Sequence, residues 1–310
     1  MSKVSILIPC YNAEKWIAEA IQSALDQSIE DKEVIVVDDG STDGSLEVVK
    51  SFGDQIQFES GPNRGGNVAR NRLLELAAGE WVQFLDADDY LRPKKIEAQI
   101  ESTAKLDTVD AVYSPVACEK WEGGHVVDNS EIETEPSQSI EEQWIRWRVA
   151  QTGSVLWRRE SLKRIGGWNE EYPCCQDNEV TLRAIKNGLR FHYYPRADAI
   201  YRIWSEETVC RKDPAKVIHF KTMLLDEMLE WLKRNGKLKE AHSQAAGQAF
   251  FEMARILAKS NLNTAGKFVG RRRRVGPFFL AGAAAPANYR LVYKLLGFKN
   301  AERVASWMRK

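Results

Sequence analysis

The chain has 310 residues, 44% of them hydrophobic, enough to bury one substantial core and carry further elements beside it. Lysine plus arginine and aspartate plus glutamate both number 44, so the formal net charge of +0 argues against a general nucleic-acid binder. Five scattered cysteines without a Cys-x-x-Cys, and 4 histidines, offer no zinc pattern. In chain order, residues 4–9 read as a short buried strand. Residues 12–27 have helical spacing through Trp16, Ile17, Ala20, Ile21, Ala24 and Leu25. A second apolar strand, 34–37, is closed by Asp38-Asp39-Gly40-Ser41. A helix over 45–52, a strand over 55–59, a helix over 67–78 and a strand over 81–85 follow. Short apolar strands alternating with helices predict an α/β chain with a mainly parallel sheet covered on both faces.

The last of those strands runs into Phe84-Leu85-Asp86-Ala87-Asp88-Asp89-Tyr90, which sets three carboxylates at a strand's carboxyl end, where ligands of open α/β sheets collect. Mg²⁺ and Mn²⁺ favour carboxylate oxygens and keep positions open for phosphates. The plainer alternative is a solvated turn with Asp89 as a helix cap. The first strand-to-helix turn, Pro9-Cys10-Tyr11-Asn12, lacks Gly-x-Gly-x-x-Gly, and no phosphate-loop motif is present.

Beyond residue 110 the pattern changes. Residues 111–116 read as a strand, 119–129 as an exposed hairpin around Gly123-Gly124, and 131–138 as an acidic loop. Ser139 with Glu142 opens a helix over 140–149. A strand over 154–157 and a helix over 160–165, stopped by Gly166-Gly167, come next. From Pro214 the chain reads as helices over 217–234 and 238–259 and a tail from residue 288. The predicted division is a domain over 1–212 and a helical extension over 213–310. Met1 leads straight into a strand pattern with no signal peptide, so a cytoplasmic location is expected.

Ser5-Ile6-Leu7-Ile8-Pro9-Cys10-Tyr11-Asn12, Val37-Asp38-Asp39-Gly40-Ser41-Thr42-Asp43, Asn63-Arg64-Gly65 with Ala69-Arg70-Asn71, and Ala78-Gly79-Glu80 running into Phe84-Leu85-Asp86-Ala87-Asp88-Asp89 resemble glycosyltransferase family 2, in order and spacing. The resemblance covers about residues 3–205. It implies a GT-A fold, a nucleotide-diphosphate sugar donor, a divalent cation (Mn²⁺ or Mg²⁺), and inversion at the anomeric carbon of a sugar passed to a saccharide or lipid-linked acceptor.

The resemblance also implies roles for residues. Pro9, Tyr11, Asp38 and Asp39 would bind the base, Asp39 being favoured for the uracil N–H and Tyr11 for stacking. Arg70 would reach a uracil carbonyl or a phosphate. Asp86 would meet ribose, and Asp88 would be the direct metal ligand. Gly166-Gly167-Trp168 followed by Gln176-Asp177 resembles the family's Gly-Gly-aromatic and Glu-Asp pair, which makes Asp177 the general base and Glu179 the fallback. Two departures matter. Gln176 stands where glutamate is commoner, and Trp204 stands where the family carries a histidine; Trp204 would instead cover the sugar or acceptor.

The expected function is therefore inverting, metal-dependent transfer from a nucleotide sugar, UDP-sugar favoured, in polysaccharide, glycolipid or glycoconjugate synthesis. Its rivals are an impaired nucleotide-sugar-binding protein on the same scaffold and a sugar nucleotidyltransferase. The run Arg271-Arg272-Arg273-Arg274, with the apolar stretch 278–285, suggests peripheral contact with an anionic membrane surface; the alternative is a docked helix with solvated arginines.

Overall fold

Strand β1 (Val4–Cys10) leads through helix α1 (Ile17–Leu25) to β2 (Lys32–Asp38), through α2 (Ser45–Ser51) to β3 (Gln57–Ser60), and through α3 (Gly66–Leu76) to β4 (Trp81–Phe84). β1 pairs in parallel with both β2 and β4, and β2 pairs in parallel with β3. Parallel neighbours need a crossover, and each helix supplies one. Within β1, Ile6 and Ile8 join Val34, Val36 and the apolar stripe of α1 in one core. Leu7 joins Ile35, Val37 and Ala69 and Leu73 of α3 in the other. The near-continuous apolar strands are thus covered on both faces.

The chain continues through β5 (Tyr90–Leu91), α4 (Lys95–Glu101), β6 (Ala111–Tyr113), the hairpin β7 (Val116–Glu122) and β8 (His125–Ile132), and α5 (Ile140–Ile145). Then come β9 (Leu156–Arg158), α6 (Arg159–Arg164), α7 (Gln176–Lys186), β10 (Phe191–Tyr193) and β11 (Ala199–Ile203). The larger sheet has the order β10-β6-β9-β4-β1-β2-β3, with β9 antiparallel to β4 and β6; a smaller sheet runs β5-β11-β7-β8. This computed structural model describes residues 4–106, 108–149, 151–204, 213–276 and 286–307. The chain divides into two units, Met1–Ser205 and Glu206–Lys310.

The second unit is helical, with α8 (Pro214–Arg234), α9 (Glu240–Ser260), α10 (Leu262–Val275) and α11 (Ala287–Trp307). Asp213 caps α8 by accepting from Lys216 N at 3.0 Å, and Asn261 caps α10 by accepting from Asn263 and Thr264 N. Gly297, at φ 74°, breaks α11 into two pieces. No helix among the described residues is long and apolar enough to cross a membrane.

Several sequence expectations are corrected. The first helix starts at Ile17, not residue 12, because Asn12 sits at φ 49° and the following turn is tied to the loop after β2. Ala13 N donates to Ser45 Oγ at 2.8 Å, and Asn12 Oδ1 accepts from Thr42 N at 2.8 Å. The helix expected over 140–149 stops at Ile145, and Trp147 turns the chain at φ 60°. The acidic stretch from 131 begins on the exposed strand β8. Elements β5, α4, β10, β11 and α10 have no counterpart in the sequence reading; the strands among them have two to five residues, too few to show a period. The basic run lies on α10, where Arg272 turns inward: it is buried, forks onto Asp226 at 2.5 and 2.7 Å, and stacks 4.3 Å from the Phe250 ring. Residues 277–285 of the expected surface tail lie outside the described residues.

Gly79 marks where β4 approaches β1. A Cβ there would lie 2.6 Å from Ser5 N and 2.7 Å from Val4 C, both backbone atoms. Gly79→Ala is therefore expected to destabilise the protein by about 1–3 kcal/mol, the usual range for overpacking, as measured by denaturant unfolding.

Candidate active site

Because β1, β2, β3 and β4 are parallel neighbours, their carboxyl ends share one edge of the sheet. Pro9 and Tyr11 end the first strand, Asp38 and Asp39 the second, Ser60 to Arg64 follow the third, and Asp86 to Asp89 follow the fourth. The four motifs, scattered over about 80 residues of sequence, become one crevice edge.

At its first end, both oxygens of Asp38 are occupied: Ser60 Oγ donates to Oδ2 at 2.7 Å and Ser41 N to Oδ1 at 3.2 Å. Asp39 accepts Arg64 N at 2.7 Å on one oxygen and Gly65 N at 2.9 Å on the other. Each aspartate is buried and serves first as a clamp on the next loop. Tyr11 is 51% exposed, so its ring presents a free face beside them.

At the other end Arg70 stands at the centre. Its guanidinium donates to Asp86 Oδ1 at 2.7 Å and to Gln176 Oε1 at 2.9 Å, and lies 4.9 Å from the Trp168 ring. Arg70 is buried and already engaged, so in this state it organises the acids; Gln176, at the first position of α7, is what joins it to the Asp177 segment. Asp177 lies in the first turn of α7 and is not its cap, since Cys175 takes that place at φ 58°. Its Oδ1 accepts from Thr152 Oγ1 at 2.7 Å. Glu179 is buried and binds Arg183 through both oxygens, at 2.9 and 2.7 Å, which leaves it poorly placed to act as a base.

The segment carrying Trp168 is pinned to α3. Asn71 donates to Trp168 O and Glu170 Oε1 and accepts from Trp168 N, while Asn67 donates to Asn169 O at 2.5 Å. Gly167, at φ 63°, would press a Cβ to 2.7 Å from Asn71 Oδ1, so glycine is required there.

Asp89 is no helix cap. It is buried, accepts Arg202 N at 2.8 Å on one oxygen and Gln151 Nε2 at 2.9 Å on the other, and so ties β11 and the turn Thr152–Ser154 to the acidic segment. Arg202 is fully buried among the rings of Trp16, Tyr90 and Trp121, pairs with Glu19 at 2.5 Å and donates to Asp88 O at 3.2 Å. Trp204 donates its indole N–H to Asp88 Oδ2 at 2.8 Å. Sequence reasoning missed Thr152, Gln151, Arg202 and the clamp made by Asn67 and Asn71. Nothing local in the sequence marks Arg202 as a buried arginine.

The glycosyl transferase family 2 profile matches residues 5–166, just over half of the chain. The chain belongs to glycosyltransferase family 2. It is 40% identical over 104 residues to an uncharacterised glycosyltransferase of Haemophilus influenzae, a match covering 32% of this chain and 42% of that protein. It is 40% identical over 114 residues to chondroitin synthase of Pasteurella multocida, covering 36% and 12% respectively. The match thus spans less than half of these relatives. Among solved structures, S. aureus TarS 1–349 in complex with UDP-GlcNAc superposes with a TM-score of 0.68 at 22% identity, over 98% of this chain and 92% of that one. Mannosyltransferase PcManGT from Pyrobaculum calidifontis, in complex with GDP-Man and Mn²⁺, gives 0.56 at 17% identity over 99% and 88%. The fold is the GT-A arrangement of this family, with a helical carboxyl-terminal region.

In this family 2 chain the site's charges are not balanced locally. Burial first, then the charge of Asp86, holds the Asp88 carboxyl above its ordinary range, against the Trp204 hydrogen bond. Burial lifts Asp177 to about 6; Arg70 opposes the rise and Asp86 adds to it. An acid with a raised folded pKa retains a proton that the unfolded chain has released. The penalty is absent below the ordinary value of 3.8 and full above about 6. Asp177→Asn is therefore expected to raise stability at pH 7.5 by about 1–3 kcal/mol, with the gain fading as the pH falls toward 4. Urea titrations of both proteins at the two pH values measure the difference.

Proposed function

We propose that this chain transfers a sugar, with inversion, from a nucleotide-diphosphate sugar to an acceptor hydroxyl, with a divalent cation at Asp88. The observation that carries the reading is the base-side aspartates, Asp86 and Asp88 along one sheet edge, with Arg70 bonded to Asp86 and within reach of the charges of Asp88 and of Asp177 at the start of α7. The catalytic domain is read as residues 1–212.

Asp39, with Asp38, would accept the uracil N–H, and Tyr11 would stack on the ring; UDP-sugar donors are favoured on that account. Pro9, at the end of β1, would help bind the nucleotide, and Asp86 would meet ribose. The UDP-GlcNAc of TarS and the GDP-Man and Mn²⁺ of PcManGT, proteins of the same fold, support a nucleotide-sugar donor and a cation. Among the described residues no group of three acidic, histidine or cysteine side chains could hold a metal. The residues nonetheless fit Mn²⁺ or Mg²⁺. Such ions use one or two carboxylates and complete their shell with phosphate and water, and a cation would offset the charge of Asp86 that, with burial, raises Asp88. Bound there, the cation would neutralise charge on the departing diphosphate.

Asp177 would take the acceptor's hydroxyl proton. As the acceptor oxygen bonds to the anomeric carbon, the bond from that carbon to the phosphate oxygen breaks, and its electrons leave with the nucleotide diphosphate. Trp204, 38% exposed and anchored on Asp88, would cover the sugar or acceptor. Asp88→Ala should weaken cation-supported donor binding and turnover together. Asp177→Asn should lower kcat by about 10²–10⁴-fold with donor affinity nearly unchanged. Calorimetry with UDP-sugars and Mn²⁺, beside rates of UDP release, separates the two. Wild-type kcat/KM should rise with pH through about 6 as Asp177 loses its proton.

The acceptor is read as a saccharide or a lipid-linked saccharide of polysaccharide, glycolipid or glycoconjugate synthesis, and the location as cytoplasmic with peripheral membrane contact. The α11 surface supports the contact. Leu291, Leu295 and Leu296 are 60, 71 and 56% exposed beside exposed Arg290 and Lys294, with Arg273 of the basic run near Tyr293. At about 1 kcal/mol per basic residue, Arg290→Gln with Lys294→Gln should weaken binding to phosphatidylglycerol vesicles roughly 20–30-fold in a sedimentation assay. Equal binding by the double variant would remove α11 from the contact.

A further inference from the structure

We propose that the turn Thr152–Ser154 is the positioning element of the transfer site, and that the Thr152 hydroxyl aims the Asp177 carboxylate at the acceptor. The inference rests on the reading of Asp177 as base and adds a residue that the family motifs do not contain.

The turn is fastened at every position. Gln151, at its head, donates to Asp89 Oδ2 at 2.9 Å and accepts from Ser154 N at 3.1 Å, which closes the turn on its own side chain. Gly153 O accepts from Gln83 Nε2 at 3.1 Å, and Ser154 O accepts from Gln99 Nε2 at 3.3 Å. Thr152, Gly153 and Ser154 are all buried. One short element therefore touches Asp89, beside the proposed metal ligand, and Asp177, the proposed base. These two carboxylates lie 88 residues apart in sequence and on different elements.

Thr152 has one hydroxyl proton to give, and it gives it to Asp177 Oδ1 at 2.7 Å. A carboxylate in the first turn of a helix can rotate about its terminal bond. A hydrogen bond from a buried, rigid donor selects one rotamer and leaves Oδ2 to receive the acceptor proton. A small, partly open cavity lined by Thr152, Trp157, Trp168, Asp177 and Thr181 lies alongside the contact. A hydrogen bond to the ionised form also favours that form, so Thr152 works with Arg70 to limit the rise caused by burial.

Thr152→Val keeps the shape and removes the hydroxyl; Thr152→Ser keeps the hydroxyl and removes a methyl. UDP release from UDP-GlcNAc and UDP-glucose with Mn²⁺ and water as acceptor gives the rates, and the ¹³C shift of the Asp177 carboxyl in the free protein gives its titration. A hydrogen bond to a charged group of this kind is worth about 10- to 100-fold. Thr152→Val should lose that much in kcat, with donor KM within about twofold and the Asp177 titration moved to higher pH. Thr152→Ser should restore both. If Thr152→Val retains wild-type kcat and the wild-type titration while Asp177→Asn is inactive, the positioning role is wrong and the base reading stands. If Asp177→Asn is itself active, the base reading fails. A Thr152→Val loss that Thr152→Ser does not restore, with the Asp177 titration unmoved, marks a packing effect and also overturns the proposal.

Discussion

Four carboxylates, Asp86, Asp88, Asp89 and Asp177, are gathered at a part-buried sheet edge, and two guanidinium groups, Arg70 and Arg202, answer them. The shortfall of positive charge governs the site. Ionised carboxylates removed from water are tolerated only when paired or hydrogen-bonded. Here every one is, yet Asp88, Asp89 and Asp177 all stay above the usual range because each feels another acid as well as burial. The same shortfall is what the proposed cation would offset, and with burial it lifts Asp177 to about 6, a range suited to the proposed base.

Holding such charges together requires a stiff frame. Parallel strands bring the first four motifs to one edge without long loops. The chain then uses buried polar side chains as bolts: Asp38 and Asp39 hold the loop after β3, Asn67 and Asn71 hold the Gly167 segment, and Gln151 holds the turn that reaches Asp177. Residues of the family motifs thus serve the scaffold. The Asp39 carboxylate, with two backbone donors in place, is fixed in orientation.

The two departures from the family pattern have physical counterparts. Gln176 accepts from Arg70 without adding a charge, so the arginine's charge remains available to Asp86 and Asp177. Trp204 cannot ligate a metal, but its indole N–H grips Asp88 and its ring leans on Trp16 at 5.8 Å, part of the aromatic wall around Arg202. The hairpin contributes Trp121 to that wall, which joins β7 to the acidic segment.

The order of strands and helices through residue 85 was legible because β1, β2 and β4 are largely apolar buried runs and α1 shows a helical apolar stripe, whereas β3 is exposed throughout. The strand-end position of Asp38, Asp39, Asp86 and Asp88 was legible because a carboxylate directly after an apolar run marks where the strand ends. Asp177 was singled out only through its motif. What the sequence could not supply was partnership across distance. That Arg70 faces Asp86 and Gln176, that Thr152 meets Asp177 from 25 residues away, and that Arg202 is buried among three rings depend on which loops the sheet order sets side by side. Local pattern reports whether a side chain is suited to water or to the core. Only the packed structure, where a buried charge must find its partner, decides which one it finds.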